Sequence, residues 1–318
     1  MNDLLSVYGV VERDPETAKK AESSPPASAG ADAAVVRRRV GPKLPLTVVA
    51  VIHNNAYVLE RCLRSCADLA DEILVIHDGE CTDGSLDIAR RYTDKIFIRP
   101  RAGFSEWHRP EAYRLARNEW VLQIDADEYL SEELREKLSG LLAGDADIYD
   151  LAWPLYEKGR RYFGTYKDAL FKKSRVYFIG ALHEYAKPKD ASVVTRRVDY
   201  ALMHEPGYPN FTWKAFATKW RYFRGHHAEQ LTRDFREIPQ WNYGKDHWDF
   251  PNRARLRHPL LLGMFGSFAV HLWTGVKRSV RYGSWFHLKA EFFYALYFFL
   301  LYRDTIVMRR RRSANANK

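Results

Sequence analysis

Between Leu46 and Ile124, short runs of β-branched and aliphatic residues take turns with segments of helical spacing. Thr47–His53 (TVVAVIH), Glu72–His77 (EILVIH), Lys95–Arg99 and Trp120–Ile124 read as strands, being short and apolar. Val58–Leu69 sets Leu59, Cys62, Leu63 and Cys66 on one helical face, and Leu86–Tyr92 and Glu111–Glu119 also read as helices. Strands and helices alternating at this length predict an α/β fold, a Rossmann-like, mostly parallel sheet with flanking helices. Beyond Ser131 the pattern is mixed, with short strands expected near Ile148–Leu155, Leu170–Lys173 and Val193–Tyr200, and there are no internal repeats.

The fourth strand ends in Asp125-Ala126-Asp127-Glu128. In an open α/β sheet, ligands bind at the carboxyl ends of the strands. Two carboxylates two residues apart repel unless a positive group lies between them, and a divalent ion carrying a diphosphate meets that need. The plain alternative is a solvated turn. Asp78-Gly79 leaves the second strand at the same edge, followed by Thr82-Asp83-Gly84-Ser85. An Asp in that position accepts hydrogen bonds from a ribose or base edge. Gly84 permits a turn, and Thr82 or Ser85 is suited to cap the next helix.

Taken in order, His53-Asn54-Asn55, Leu59-Glu60-Arg61-Cys62-Leu63, Ala70-Asp71-Glu72-Ile73-Leu74-Val75, Thr82-Asp83-Gly84-Ser85, Gly103-Phe104 and Asp125-Ala126-Asp127-Glu128 resemble the family 2 glycosyltransferases of GT-A fold. The likeness is nearest to the branch of lipopolysaccharide-core glucosyltransferases and covers Leu46 to Leu130. It implies that Asn54, Asp78, Asp83, Arg109 and Asp125 contact a nucleoside diphosphate sugar, with UDP favoured. It also implies that Asp125 and Asp127 hold a divalent metal, Mg²⁺ or Mn²⁺, with the diphosphate. Two positions depart from the family pattern. Asn54-Asn55 stands where Asn-Glu is usual, and Pro110 follows Arg109 where Asn is usual. Arg109 keeps the capacity to pair with a phosphate.

A weaker likeness continues through Phe178-Ile179-Gly180-Ala181-Leu182-His183-Glu184 and Leu202-Met203-His204-Glu205-Pro206-Gly207-Tyr208. An inverting transfer needs a base to take the acceptor hydroxyl proton, while positive groups stabilise the departing diphosphate. Glu184 is the expected base, with Asp168 in reserve; the plain alternative pairs Glu184 with a neighbouring Arg or Lys. His204 is expected to complete the metal shell or touch the diphosphate.

The net charge is +10 over 318 residues, and it belongs to one end. From Pro251 onward thirteen Lys and Arg face only Glu291 and Asp304. Interleaved with Trp, Tyr and Phe, this basic tail matches anionic lipid headgroups better than a nucleic-acid groove. Pro259–Val276 is uncharged for 18 residues and Phe292–Tyr302 is aromatic-rich. Basic residues before, between and after them give no positive-inside asymmetry, so interfacial or re-entrant helices are expected rather than spans. Cys62, Cys66 and Cys81 imply no disulfide framework, and the first two read as core. The N-terminus shows no signal peptide pattern, and residues 1–44 read as a disordered extension.

The expected organisation is therefore a GT-A domain over 45–252 and a helical, membrane-facing tail over 253–318. The resemblance implies a metal-dependent inverting glycosyltransferase at the cytoplasmic face of the cell membrane, peripheral or monotopic. Its acceptor is expected to be a lipid-linked or lipid-anchored envelope glycan. The competing readings are a polyprenyl-phosphate glycosyltransferase and a non-catalytic, sugar-nucleotide-binding membrane scaffold.

Overall fold

The computed structural model describes residues 42–244 and 260–316. The expected N-terminal extension lies outside the described residues except for its last few positions, and Leu44 already begins the first strand. Contact between elements divides the described chain into two units, one of 42–210 with Phe235–Tyr243 and one of Phe211–Asp234 with 260–316. The division differs from the expected boundary at 252, because 211–234 belongs with the C-terminal helices.

In the first unit, β1 (Leu44–Ile52), α1 (Ala56–Arg64), β2 (Ala70–Asp78), α2 (Ser85–Arg90), β3 (Ile96–Arg99), α3 (Arg109–Leu115) and β4 (Trp120–Ile124) follow the expected alternation. Then come β5 (Glu128–Leu130), α4 (Glu132–Leu142), β6 (Ile148–Ala152), β7 (Leu155–Glu157), β8 (Arg160–Tyr162) and β9 (Tyr166–Lys172). The unit closes with β10 (Val176–Ile179), β11 (Lys187–Pro188), β12 (Thr195–His204) and, later in the chain, β13 (Gln240–Trp241). Eight strands form one sheet in the order β3-β2-β1-β4-β9-β6-β12-β5. The half containing β3, β2, β1 and β4 is wholly parallel, as is the β6–β12 pair. Strand β9 runs antiparallel to both β4 and β6, and β5 antiparallel to β12.

Side-chain alternation along β1 explains the two packed faces. Val48, Ala50 and Ile52 join Leu59, Cys62, Leu63 and Cys66 of the α1 segment, with Leu134 and Leu138 of α4, on one face. Val49 and Val51 join Ala112 and Tyr113 of α3, with Phe171 and Phe178, on the other. Cys62 and Cys66 are buried free thiols in the first of these layers. Register fixes the working edge. Ile52 pairs with His77 and Ala50 with Ile124, so Asp78 and Asp125 leave the sheet at the same end. The strand order reverses there, between β1 and its two neighbours, which is where open α/β sheets take ligands.

The second unit is helical: a run through Trp213–Ala215, a π-turn at Phe216–Trp220, then α5 (Arg221–Gln230), α6 (Leu260–Arg281) and α7 (Phe286–Ala316). An aromatic cluster holds it together. Phe211 meets Phe286 and Tyr294 edge-on, Trp220 lies against Tyr294 and Tyr297, and Arg224 of α5 bonds Asp304 at 2.7 Å. These long-range partners claim 211–234 for this unit. Among the described residues no helix is long and apolar enough to cross a membrane.

Candidate active site

At the end of β4 the chain turns sharply, and the Glu128 N–H donates to the Asp125 carbonyl at 2.9 Å. The positive group expected beside Asp125 comes from the protein itself. One Asp125 oxygen accepts from Arg109 at 2.7 Å and the other from Lys167 of β9 at 2.8 Å. Lys167 also donates to both oxygens of Glu128, at 2.7 and 2.8 Å. Glu128 is fully buried and further held by the Trp153 indole N–H at 2.5 Å and the Asp125 N–H at 2.8 Å. Burial favours the neutral form of Asp125, but Lys167 and Arg109 outweigh it and hold the carboxyl well below its usual range. Glu128 goes the other way. Burial, then the charge of Asp125, pushes it up against the opposing pull of Lys167.

Asp125 and Asp127, expected to share one metal, face different partners in this structure. Asp125, with 33% of its side chain exposed, is paired with two cations, whereas Asp127, at 22%, faces a histidine. A partner of Asp127 is His204, at the end of β12, with Nε2 at 3.5 Å from the carboxylate. The imidazole is fixed by stacking on Trp153, with ring centroids 4.3 Å apart, and its Nδ1 is buried without a hydrogen-bond partner. Asp127 and His204 thus present a hard oxygen donor and a ring nitrogen side by side, a mixed pair that suits Mn²⁺ better than Mg²⁺, which is held by oxygen ligands. Among the described residues no group of three or more His, Cys, Asp or Glu gathers for a metal, so phosphate or water oxygens would complete the shell.

Asp78 lies at the expected edge, yet its carboxylate faces the protein. It accepts from the N–H groups of Ala102 (2.5 Å) and Gly103 (2.8 Å) and meets His108 Nε2 at 2.9 Å, leaving 4% of the side chain exposed. Burial alone would raise this carboxyl, and the bonds from His108, Ala102 and Gly103 bring it below the usual range. In this structure Asp78, expected to contact the nucleotide, anchors the 101–103 loop. Gly79 (φ 87°) and Gly103 (φ 91°) make this possible in the left-handed region, and Gly79 has Arg101 Cβ only 3.1 Å from where its own Cβ would stand.

Asn54 and Asp83 also act on neighbouring loops. Asn54, at φ 48°, exchanges two 2.9 Å bonds with Thr82, while Asp83 accepts from Ala56 and Ser85, both at 2.9 Å. They staple the β1–α1 turn to the β2–α2 turn. Arg109, buried at 4% exposure, starts α3, and Pro110 sits in the first turn where no amide donor is needed. The departure at Pro110 thus preserves the placement of Arg109 under Asp125.

The two expected bases are placed otherwise. Glu184 is 5% exposed and accepts from Lys187 Nζ at 2.5 Å, which is the ion-pair alternative. Asp168 follows Lys167 on β9, so strand alternation sends it to the opposite face, in register with Asp150. The loop carrying Glu184 still reaches the site region, because the His183 N–H donates to Glu106 at 3.0 Å. Lys167, His108, Glu128 and Trp153 escaped sequence reasoning. For Lys167 there was one signal, a cation two residues before the apolar run Ala169-Leu170-Phe171 of a strand.

Comparison with known proteins adds the family. Residues 47–200 match the model of glycosyl transferase family 2. A Rickettsia felis protein named an uncharacterized glycosyltransferase is 23% identical over 237 residues, covering 70% of this chain and 82% of that one. The Rhizobium meliloti lipopolysaccharide core biosynthesis glycosyltransferase LpsC is 32% identical over 112 residues, 34% of this chain and 40% of that one. Among solved structures, the Pyrobaculum calidifontis mannosyltransferase PcManGT, in complex with GDP-Man and Mn²⁺, aligns with a TM-score of 0.40 at 15% identity. That alignment covers 93% of this chain and 94% of the other.

Proposed function

Because residues 47–200 are a family 2 glycosyltransferase domain and the protein is accordingly a glycosyltransferase, we propose that it is metal-dependent and inverting. It takes its sugar from a nucleoside diphosphate sugar, UDP-linked by preference, and passes it to a lipid-linked or envelope glycan. The observation that carries this reading is the Asp127–His204 pair at the sheet's ligand edge, 3.5 Å apart and oriented by Trp153. These two residues would hold the divalent ion, which when bound supplies positive charge to the departing diphosphate.

The remaining roles belong to the chain's own residues. Arg109 and Lys167 neutralise Asp125, and Lys167 also Glu128, while Asp127 stands beside His204 as the carboxylate offered to a metal. The nucleoside has a cavity of about 610 Å³ beside the ends of β2 and β3, lined by Gly79, Cys81, Leu86, Ile98 and Arg101. Asn54, Asp78 and Asp83 keep the walls of this edge in register through the bonds described above.

Burial of Glu184 against Lys187, and the placement of Asp168 on the sheet face opposite Lys167, support a second reading in which the acceptor is a lipid phosphate. Such an acceptor is already ionised and needs no strong base. Glu184→Gln would leave that reaction intact.

The C-terminal unit supports a membrane location. Phe265, Trp273, Val276 and Val280 are exposed along α6 at near-helical spacing, and Lys277 and Arg281 flank them. An apolar stripe bordered by cations lies flat in an anionic interface, such as the cytoplasmic leaflet. A screen of nucleotide sugars with Mn²⁺ or Mg²⁺, read by NMR for nucleotide release and the anomeric configuration of the product, tests the reaction. Metal-dependent release with inversion is expected; no turnover of any donor, or retention, would contradict it.

A further inference from the structure

A second cavity, of about 500 Å³, opens beside the Asp127–His204 pair and is lined by Tyr57, Arg61, Arg64, Tyr156, Glu205 and Gly207. Its link to the site is direct. Glu205 follows His204, and its N–H donates to the Asp127 carbonyl at 2.9 Å.

The lining carries two cations, Arg61 and Arg64, and two acids, Glu60 and Glu205, and the acids are engaged by cations other than Arg64. Glu205 is shared by two cations, Arg61 at 2.8 Å and Arg161 at 3.7 Å, and accepts the Tyr129 hydroxyl at 3.0 Å. Glu60 is taken by Arg91 and Tyr92. Arg64 is exposed and has no ion pair among the described residues. Arginine is the side chain suited to bidentate capture of phosphate and carboxylate. The aromatic walls supply the other half of a sugar site. Tyr57 is 59% exposed, and Gly207 lies so close to its ring that a Cβ there would come within 2.5 Å. Tyr156 stands on the β7–β8 ribbon, paired with Arg161 across it, and the turn is closed by Lys158 (φ 50°) and Gly159 (φ 79°).

We propose that this groove is the acceptor subsite and that it selects an acceptor sugar carrying an anionic group, a phosphate or a carboxylate. The proposal rests on the glycosyltransferase reading above. Tyr57 and Tyr156 flank the ring, Arg64 and Arg161 bind the anion, and Gly207 keeps the Tyr57 side of the groove open.

Saturation-transfer NMR with mannose 6-phosphate, glucuronic acid and mannose tests it on the full-length protein, with Arg64→Ala, Arg161→Ala and the remote Arg90→Ala as variants. The charged sugars should bind at least about tenfold more tightly than mannose. Arg64→Ala and Arg161→Ala should erase that preference, and Arg90→Ala should keep it. The phosphate and uronate arms show which anion is favoured. Equal binding of all three sugars, an unchanged preference in Arg64→Ala, or competition by UDP for the same site would overturn the proposal. Mn²⁺-dependent binding of the nucleotide sugar, measured on the same samples, reports separately on the donor site. Arg64 is exposed, so its variant tests the groove even if Arg161→Ala fails to fold.

Discussion

Lys167 joins Asp125 and the buried Glu128, two carboxylates that would otherwise stand side by side. Removing one member of a buried ionic network leaves uncompensated charge, which typically costs about 3–5 kcal/mol. Lys167→Met should therefore lower unfolding free energy by about that amount in urea titration, and double substitution with Glu128→Gln should recover part of it. Additive losses would show that the network is not coupled as described. At this scale the sequence placed the acids correctly but not their partners. Asp125 and Asp78 were legible as residues ending strands at one edge. Lys167 lies 42 residues from Asp125 and His108 30 residues from Asp78, and no local spacing announces such partners. Asp125 was assigned to a metal without sight of Arg109 and Lys167, the two cations that α3 and β9 bring to it.

The elements around the site leave little slack. Gly180 has the Glu106 carbonyl 3.0 Å, the Pro239 carbonyl 3.1 Å and Trp107 Cα 3.3 Å from where its Cβ would stand. These are backbone atoms that cannot rotate aside, so Gly180→Ala should cost about 1–3 kcal/mol in denaturant unfolding and reduce transfer through displacement of Glu106. Wild-type stability in that variant would show that the loop yields. In the helical unit, His287 is 2% exposed, and burial, aided by Arg278, lowers its pKa to about 4 from 6.5. Above pH 6.5 the ring is neutral whether folded or unfolded, so it carries no penalty. As the pH falls toward 4 only the unfolded chain takes the proton, and stability declines. The loss, discounted for solvent screening, is about 2 kcal/mol. Thermal melts between pH 7 and pH 4 should show it in the wild type and less of it in His287→Phe. The strands and helices up to β4 were readable because each carries its own period. Later strands were harder, since β9 enters the sheet antiparallel between β4 and β6 and the order follows from long-range pairing.

At the scale of the whole molecule, the two units answer to different physics. The first buries both faces of its sheet. The second keeps Trp285 78% and Val280 81% exposed beside a basic surface. The basic, aromatic character of the tail was plain from composition, but the start of its unit was not, because Phe211, Trp213 and Trp220 are claimed by aromatic partners some seventy residues later. Flotation with vesicles should show the protein bound to phosphatidylglycerol membranes and released by salt, with Trp273→Glu weakening capture and leaving donor binding intact. Equal binding to neutral vesicles at every salt concentration would remove the electrostatic part of this reading. The central claim is that Asp127, with His204, makes the donor site metal-dependent. Calorimetric titration of UDP-sugars and GDP-sugars into the wild type and Asp127→Ala, each with and without Mn²⁺, tests it most directly. The expected result is binding of at least one donor that requires Mn²⁺ in the wild type and vanishes in Asp127→Ala; undiminished binding in that variant, or none requiring metal in the wild type, would contradict it.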